Sequence, residues 1–549
     1  MIQITTFLKK YSNTSILFFL LLQTSLLSGK ESYFFYIQLA NKYKSVYSLS
    51  KPSEYLSERA IARRAFFGIK CDSTDLPVST SYISQINSIG ANIHCQSKWM
   101  NGVTVIVPDS NIMKLVRALP FVKWVQYTGK RDVALPLSAK MKAETTTLNY
   151  GSAAKQVNQI NGNYFHNAGY TGKGIVVGVL DAGFTNVNTN PAFDSLRLQG
   201  RLLGVKDIAE PNSNIYSLDE HGANVLSIMS GNLPGKYLGT APEASYWLIR
   251  TEYAPTEYLV ETDFWTSGIE FADSVGVDVV NSSLVYTEFD DPSMDFTYND
   301  MNGKVSRASR AATLASKKGI IVCNSVGNYG NSLWQYLGSP ADANGIITVG
   351  AVTSTGSPSD FSSFGPSSDG RIKPEICALG TSTAFVNKNG SISTGDGTSY
   401  ASPIIAGTIA CLMQALKETN THFDIESIRT LLIQSSNWYQ SPIDQLGFGI
   451  PDFDKVLKYL NFYDSKKAES SSFDLSYNAQ DKTIHLVVFN NSETTENIAR
   501  VYSITGCKML EEAITGTINI LPASKLASGI YLVCISGNGK LESKKIIVK

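Results

Sequence analysis

The rhythm of apolar and polar positions changes several times along this chain, and each change marks a different unit. Residues 30 to about 130 place short apolar runs, Tyr33–Leu39, Val103–Val107 and Phe121–Tyr127, between stretches with helical spacing at Ser81–Ser88 and Ser110–Leu119. Strand and helix alternating at this scale predict a small α/β sandwich. From Gly129 to about Thr147 the chain is rich in Lys, Ala and Thr and has no hydrophobic period, which predicts a linker, taken as 131–147 and open to proteolytic nicking. Residues 148–460 carry continuous apolar runs at Ile175–Leu180, Tyr246–Ile249, Val277–Asn281, Ile320–Asn324 and Ile346–Val352, separated by helical stretches. Such runs predict a parallel sheet buried on both faces by helices. A polar, Ser-rich stretch at 461–472 reads as a second linker. Within 473–549 the runs Ile484–Phe489, Ile498–Tyr502, Thr517–Ile520 and Gly529–Ile535 alternate with Gly, Asn and Ser turns, predicting a small β-sandwich.

A chain of 549 residues suits several such units and is too long for one core. Hydrophobic residues make up 43% and charged residues 17%, a globular balance. The formal net charge is zero and no basic stripe appears, which argues against a nucleic-acid partner. At the front, Lys9 and Lys10 precede the apolar run Ile16–Leu22, and the small residues Ser28 and Gly29 follow. That order predicts a secretory signal peptide over 1–29. No later segment reads as apolar enough to span a bilayer, so no transmembrane span is expected in the mature chain. The seven cysteines form no C-x-x-C pair. Cys323 and Cys411 fall in apolar runs and are expected as core thiols, while Cys507 and Cys534 share one small unit and could bridge. His94, His166, His422 and His485 show no metal-ligand spacing.

Three residues of the parallel-sheet region stand in the order acid, base, nucleophile. Asp181 ends the run Gly174–Leu180, and reactive groups in open parallel sheets gather at the carboxyl ends of strands. His221 lies in Asp219-Glu-His-Gly-Ala-Asn-Val225, ahead of apolar residues at helical spacing. Ser399 lies in Gly397-Thr-Ser-Tyr-Ala-Ser-Pro403, at the opening of an apolar helix whose first backbone N–H groups face outward. A serine hydroxyl becomes a nucleophile when an imidazole takes its proton, and the imidazole needs a carboxylate to hold its tautomer. Each residue alone is a common turn, cap or strand-end residue; the ordered set, each in its own context, carries the chemistry.

The blocks Val179-Leu-Asp-Ala-Gly183, His221-Gly-Ala and Gly397-Thr-Ser-Tyr-Ala-Ser-Pro403 resemble the three signature blocks of the subtilase family. Val326-Gly-Asn-Tyr-Gly330 resembles the block bearing that family's oxyanion asparagine, which puts the role on Asn328. Asn281-Ser-Ser-Leu284 resembles its peptide-pairing strand, and Ser362-Ser-Phe-Gly-Pro366, Lys373-Pro-Glu-Ile376 and Gly447-Phe-Gly-Ile-Pro451 continue the likeness. The resemblance covers about residues 150–460. It implies a subtilisin-like parallel sheet and a serine endopeptidase with Asp181, His221 and Ser399 as its triad. Substrate would be bound by Ser283, Leu284, Val285, Ser325, Val326, Gly327 and Gly338. The resemblance implies no cofactor and no catalytic metal. Relatives that bind structural calcium can do so through backbone carbonyls, and Ser230–Gly239 lacks the carboxylates of a calcium loop.

Departures from the family pattern are Ala223 and Asn224 after the His-Gly, and Val285 where a glycine is usual, which would crowd the primary pocket. No acid occupies the pocket positions, so a neutral residue is expected before the scissile bond. Residues 30–130, with Leu56-Ser-Glu-Arg-Ala60, Arg63, Arg64 and Leu76-Pro-Val78, resemble a propeptide, which implies an intramolecular inhibitor and a zymogen. Residues 473–549, with Val501-Tyr-Ser-Ile-Thr-Gly506 and Leu526-Ala-Ser-Gly-Ile-Tyr-Leu-Val533, resemble a type IX secretion sorting domain. The implied partners are protein or peptide substrates, the propeptide itself and the type IX machinery. The implied destination is the cell surface or medium, reached through the periplasm of a Gram-negative bacterium. The rival from another class is an inactive subtilase scaffold used for surface binding or adhesion.

Overall fold

A computed structural model describes residues 32–43, 45–131, 149–419, 423–467, 473–478, 482–488, 497–503, 505–537 and 540–548. The expected signal peptide, almost all of the first linker and His422 lie outside them.

Four strands form the first sheet: β1 (Ser32–Leu39), β2 (Asn92–Ser97), β3 (Gly102–Val107) and β4 (Val122–Arg131), in the antiparallel order β2-β3-β1-β4. Helices α1 (Glu58–Phe66), α2 (Thr80–Ser88) and α3 (Ile112–Arg117) accompany it. Side chains on β1 divide by the period of two. Phe35, Ile37 and Leu39 enter the unit's own core with Val103, Val105 and Val116. Phe34 and Tyr36 point the other way, into a core shared with the central domain. Each such aromatic, fully buried, is worth ~1.5–3 kcal/mol of docking. Strand β4 runs to Arg131 and takes in the first three residues of the stretch without hydrophobic period that begins at Gly129. Strand β2 was not foreseen, because Asn-Ile-His-Cys-Gln-Ser has no clean alternation.

The central sheet has seven parallel strands: β5 (Val176–Asp181), β6 (Leu202–Asp207), β7 (Ser245–Arg250), β8 (Val279–Ser282), β9 (Ile321–Ser325), β10 (Ile347–Val352) and β11 (Ile376–Leu379). Their order is β11-β10-β9-β8-β5-β7-β6. Val177 and Val179 of β5 face helices α4 (His221–Ser230) and α7 (Thr398–Glu418). Val176 and Leu180 face α5 (Val260–Val275) and α6 (Arg307–Lys317) through Phe264, Trp265, Ala308 and Ala312. Helix α7 is apolar almost all round because it lies in the middle of the domain. Its 21 residues are long and apolar enough to cross a membrane, contrary to the expectation that no later segment is, but the core covers them on nearly every side.

Helix α8 (Phe453–Lys467) continues through the first half of the stretch expected as the second linker. Beyond it a three-stranded sheet (Phe473–Asn478, Thr483–Val488, Ile518–Pro522) faces a four-stranded one (Lys508–Ile514, Asn497–Ser503, Gly529–Gly537, Lys540–Val548). Phe473, Ile484, Leu486, Val501 and Val533 fill the space between, giving the expected sandwich. Cys323 and Cys411 are buried thiols, as expected, and Cys507 and Cys534 are both free. Cys507 follows the turn beyond Ser503, which pairs with Tyr531, while Cys534 pairs with Arg500. Three residues of strand separate the two levels, ~10 Å, beyond the reach of a disulfide.

Candidate active site

Strand β5 delivers Asp181 at its carboxyl end, and the residue is fully buried. His221 opens α4, its backbone N–H donating to Asp219 Oδ1 at 2.7 Å. Its Nδ1 meets Asp181 Oδ1 at 2.8 Å. The approach depends on Gly222, where a Cβ would lie 2.8 Å from the Cβ of Asp181 and 2.5 Å from the carbonyl oxygen of Gly183. Burial alone would lower the His221 pKa; the Asp181 charge and hydrogen bond, helped by Asp219, outweigh it and raise the value above the ordinary histidine range. Ala182 N also donates to Asp181 Oδ1, at 2.8 Å, so one carboxylate oxygen is held twice.

Ser399 is the second residue of α7, where the backbone N–H has no intrahelical acceptor. Its Oγ contacts Ser283 O at 3.4 Å, and Ser283 Oγ donates to Ser399 O at 3.0 Å. Behind them Ser402 Oγ donates to Asn281 Oδ1 at 2.8 Å, and Asn281 Nδ2 to Ser283 Oγ at 3.1 Å. This buried polar chain staples the start of α7 to the end of β8. Asn281 and Ser402 carry no role of their own in the sequence analysis; the signal was that each lies within a block resembling the subtilase pattern, Asn281–Leu284 and Gly397–Pro403. The ring of Tyr400, next to Ser399, lies 6.2 Å from that of His221, so the starts of α4 and α7 come together.

Asn328 follows β9. Its Oδ1 accepts both Thr398 N and Thr398 Oγ1 at 2.9 Å. Only the amide oxygen can accept from a backbone N–H, so the Nδ2 hydrogens are left for another partner. Gly327 has φ +112°, a conformation that favours glycine, and a Cβ there would lie 2.9 Å from Ser363 Oγ. Asn328 is thereby set beside Thr398, one residue from Ser399.

The expected pocket residues also converge. Val326 is buried with Leu337 and Ala341, and Val285 packs against them. A Cβ on Gly338 would lie 3.2 Å from the Cβ of Val285, so the two positions face each other. Asn324 Nδ2 holds Leu284 O at 3.1 Å, and Ser325 is buried at the end of β9. Tyr286 and Ser339 exchange backbone hydrogen bonds at 2.7 and 3.1 Å, which sets the two walls in register.

The propeptide-like unit docks on α5. Glu270 accepts Ser97 Oγ at 2.5 Å, Lys98 N at 2.7 Å and Trp99 N at 3.1 Å, and burial pushes its pKa up to about 7. Asp273 is fully buried between Arg63 (2.5 Å), Arg64 (2.9 Å) and Lys98 (3.0 Å). Burial alone would raise its pKa; the three cations outweigh it and hold the value below the usual range. At the far end the Arg131 guanidinium lies 4.1 Å over the Tyr253 ring, and Arg131 donates to Ala209 O at 2.7 Å. Helix α1, which brings Arg63 and Arg64, was visible from sequence only as a motif. Replacing Asp273 by Asn leaves Arg63 buried without its carboxylate partner and takes one of the two from Arg64, which keeps Asp75 at 2.8 Å, a loss of ~3–5 kcal/mol. The processed but still-bound propeptide is expected to leave roughly 10²–10³-fold faster, read as a shorter lag before activity appears; an unchanged lag counts against this docking role.

A fold of this kind, with an acid, an imidazole and a serine in the first turn of a helix at the carboxyl ends of a parallel sheet, defines a subtilisin-like hydrolase. Comparison with known proteins agrees. The profile of the Subtilase family matches residues 172–454, just over half of the chain, and the chain belongs to that family. The profile of the peptidase S8 propeptide domain of Bacteroidota matches residues 34–147, and that of the secretion system C-terminal sorting domain matches residues 479–549. Subtilisin NAT of Bacillus subtilis subsp. natto is 25% identical over 332 residues, covering 60% of this chain and 74% of that protein. Subtilisin DY of Bacillus licheniformis is 29% identical over 248 residues, covering 45% of this chain and 78% of its own. The protein is a serine endopeptidase carrying a propeptide domain and a sorting domain of the type IX system of Bacteroidota.

Proposed function

We propose that the enzyme cleaves peptide bonds through an acyl-enzyme formed on Ser399, with His221 as general base and acid and Asp181 as its orienting carboxylate. The observation that carries this reading is the 2.8 Å bond from His221 Nδ1 to the buried Asp181, which leaves Nε2 for the serine of the same site. Ser399 Oγ attacks the carbonyl carbon while its proton passes to Nε2. The tetrahedral oxyanion is received by Asn328 Nδ2 and Ser399 N. Collapse then sends the proton from His221 to the leaving amine, and water repeats the sequence to free the acid. Asn328→Ala is expected to lower kcat by ~10²–10³ with little change in KM, measured on a peptide substrate. A fall confined to KM would remove Asn328 from the oxyanion site.

The unprimed side of the substrate would pair with Ser283–Val285, its first side chain entering between Val285, Ser325–Gly327 and Gly338. With no acid there and Val285 opposite Gly338, small neutral side chains are favoured. The chain would be exported through the periplasm of a Gram-negative bacterium and cut twice. The first cut would fall within 132–147, a reading supported by the docking of Arg131, and the second within 468–472, a reading supported by helix α8 running to Lys467. Covalent labelling of the processed protein by a fluorophosphonate tests the whole reading. Labelling lost on Ser399→Ala supports it; no labelling of the processed chain beside a labelled control subtilase favours the inactive surface scaffold.

A further inference from the structure

Three glutamates that the hydrolytic site does not use converge at the start of α5. One carboxylate oxygen from each of Glu252, Glu257 and Glu261 lies within 4.8 Å of the others. Glu252 and Glu261 are buried, at 7% and 2% exposure, and Glu257 is on the solvent side. Glu252 Oε1 accepts Tyr286 OH at 2.6 Å and Thr251 Oγ1 at 2.9 Å. Glu261 Oε1 accepts Tyr253 N at 2.6 Å, while Glu261 Oε2 is buried with no hydrogen-bond partner. None of the ion pairs among the described residues involves any of the three. Burial raises all three pKa values, and repulsion adds to it, from Glu257 on Glu252, from Glu252 and Glu257 on Glu261, and from Asp290 on Glu257.

A fold does not hold three mutually repelling carboxylates, two of them buried, unless something neutralises them. Protons or a bound cation can do so. The orphaned Glu261 Oε2, buried while its sister oxygen is satisfied by Tyr253 N, favours a cation. The donor set is all oxygen, carboxylate-rich and irregular, with one side open to water, which suits a hard ion of flexible geometry. Two oxygens on one Ca²⁺ stand at most about twice the Ca–O distance apart, ~4.6–5.2 Å.

We infer that Glu252, Glu257 and Glu261 form a calcium site. It joins the segment between β7 and α5 to the strand beyond the pocket, through Tyr286 on Glu252 and through the backbone pair in which Asp290 N donates to Glu257 O at 2.8 Å. These two segments border Ser283–Val285, so the ion braces the floor on which a peptide would lie. The inference does not rest on the triad assignment.

The test uses the full chain carrying Ser399→Ala, so that it stays whole, stripped with a chelator. Calcium is titrated by calorimetry, and Tb³⁺ by luminescence sensitised through the nearby tyrosines. Compared with this parent, Glu261→Gln is expected to bind one calcium fewer, or to bind that one at least ~10-fold more weakly, since even loss of an outer partner costs ~10–100-fold. The calcium-dependent rise in melting temperature and the Tb³⁺ signal should fall with it. Glu257→Gln, at an exposed position, gives the same readout should Glu261→Gln fail to fold. Equal stoichiometry and affinity in parent and variants, including no binding by either, overturns the site. So does a stripped parent whose melting temperature rises on acidification through neutrality and not with calcium, which is the signature of shared protons.

Discussion

Ser399→Ala is expected to leave a folded protein whose peptide turnover is lower by roughly 10⁶. The hydroxyl makes one long contact, 3.4 Å to Ser283 O, whereas the staple that fixes the helix runs through Ser283 Oγ, Asn281 and Ser402. Removing the hydroxyl therefore costs no more than a weak hydrogen bond, ~1 kcal/mol, while the covalent route disappears. Residual turnover reflects binding and the oxyanion donors alone. Intact mass of the same variant reports on maturation. A chain still joined across 132–147 shows self-processing, whereas a chain cut there shows that another protease performs the first trim. Turnover within tenfold of the parent would take Ser399 out of the mechanism.

Asp181→Asn is expected to lower kcat by about 10⁴ and to move the pH profile. In the parent, Asp181 lifts the His221 pKa against the opposing effect of burial. The base must be neutral to accept the serine proton, so the rate falls as pH drops through that raised value, and the acid limb lies above the ordinary histidine pKa of ~6.5. With an amide in place of the carboxylate, the charge is gone and burial remains, so the limb moves to lower pH while the rate at every pH is far smaller. The amide can also present N–H to Nδ1, turning the imidazole into the wrong tautomer. An acid limb that stays in place in Asp181→Asn would mean that another group sets the profile.

The strand rhythm was legible because it records burial. The runs predicted at Ile175–Leu180, Ile320–Asn324 and Ile346–Val352 each fall within one residue of a strand of the central sheet at both ends. Strands β2 and β6 were not legible, since Asn-Ile-His-Cys-Gln-Ser and Leu-Leu-Gly-Val-Lys-Asp carry mixed side chains. Both lie at sheet edges, where one side of the ladder has no neighbour to demand an apolar residue. Helix α8 ran on past the predicted boundary because a polar composition ends a pattern of burial without ending a helix.

By itself the sequence determined the order and local setting of Asp181, His221, Asn328 and Ser399, because each needs a particular short backbone context: a strand end, a helix start, a glycine turn. It also determined the three successive units, since hydrophobic period states which face of an element is buried. The period does not say what buries it. Only the tertiary structure decided that Phe34 and Tyr36 serve a second core, that Arg63 and Arg64 meet an aspartate about 210 residues away, and that Asn281 locks to Ser402. The same holds for Glu252, Glu257 and Glu261, whose spacing reads as ordinary solvated charge. Ionisable and polar side chains carry no local signature of burial; their partners come from distant segments, so their function emerges only when the sheet brings those segments together.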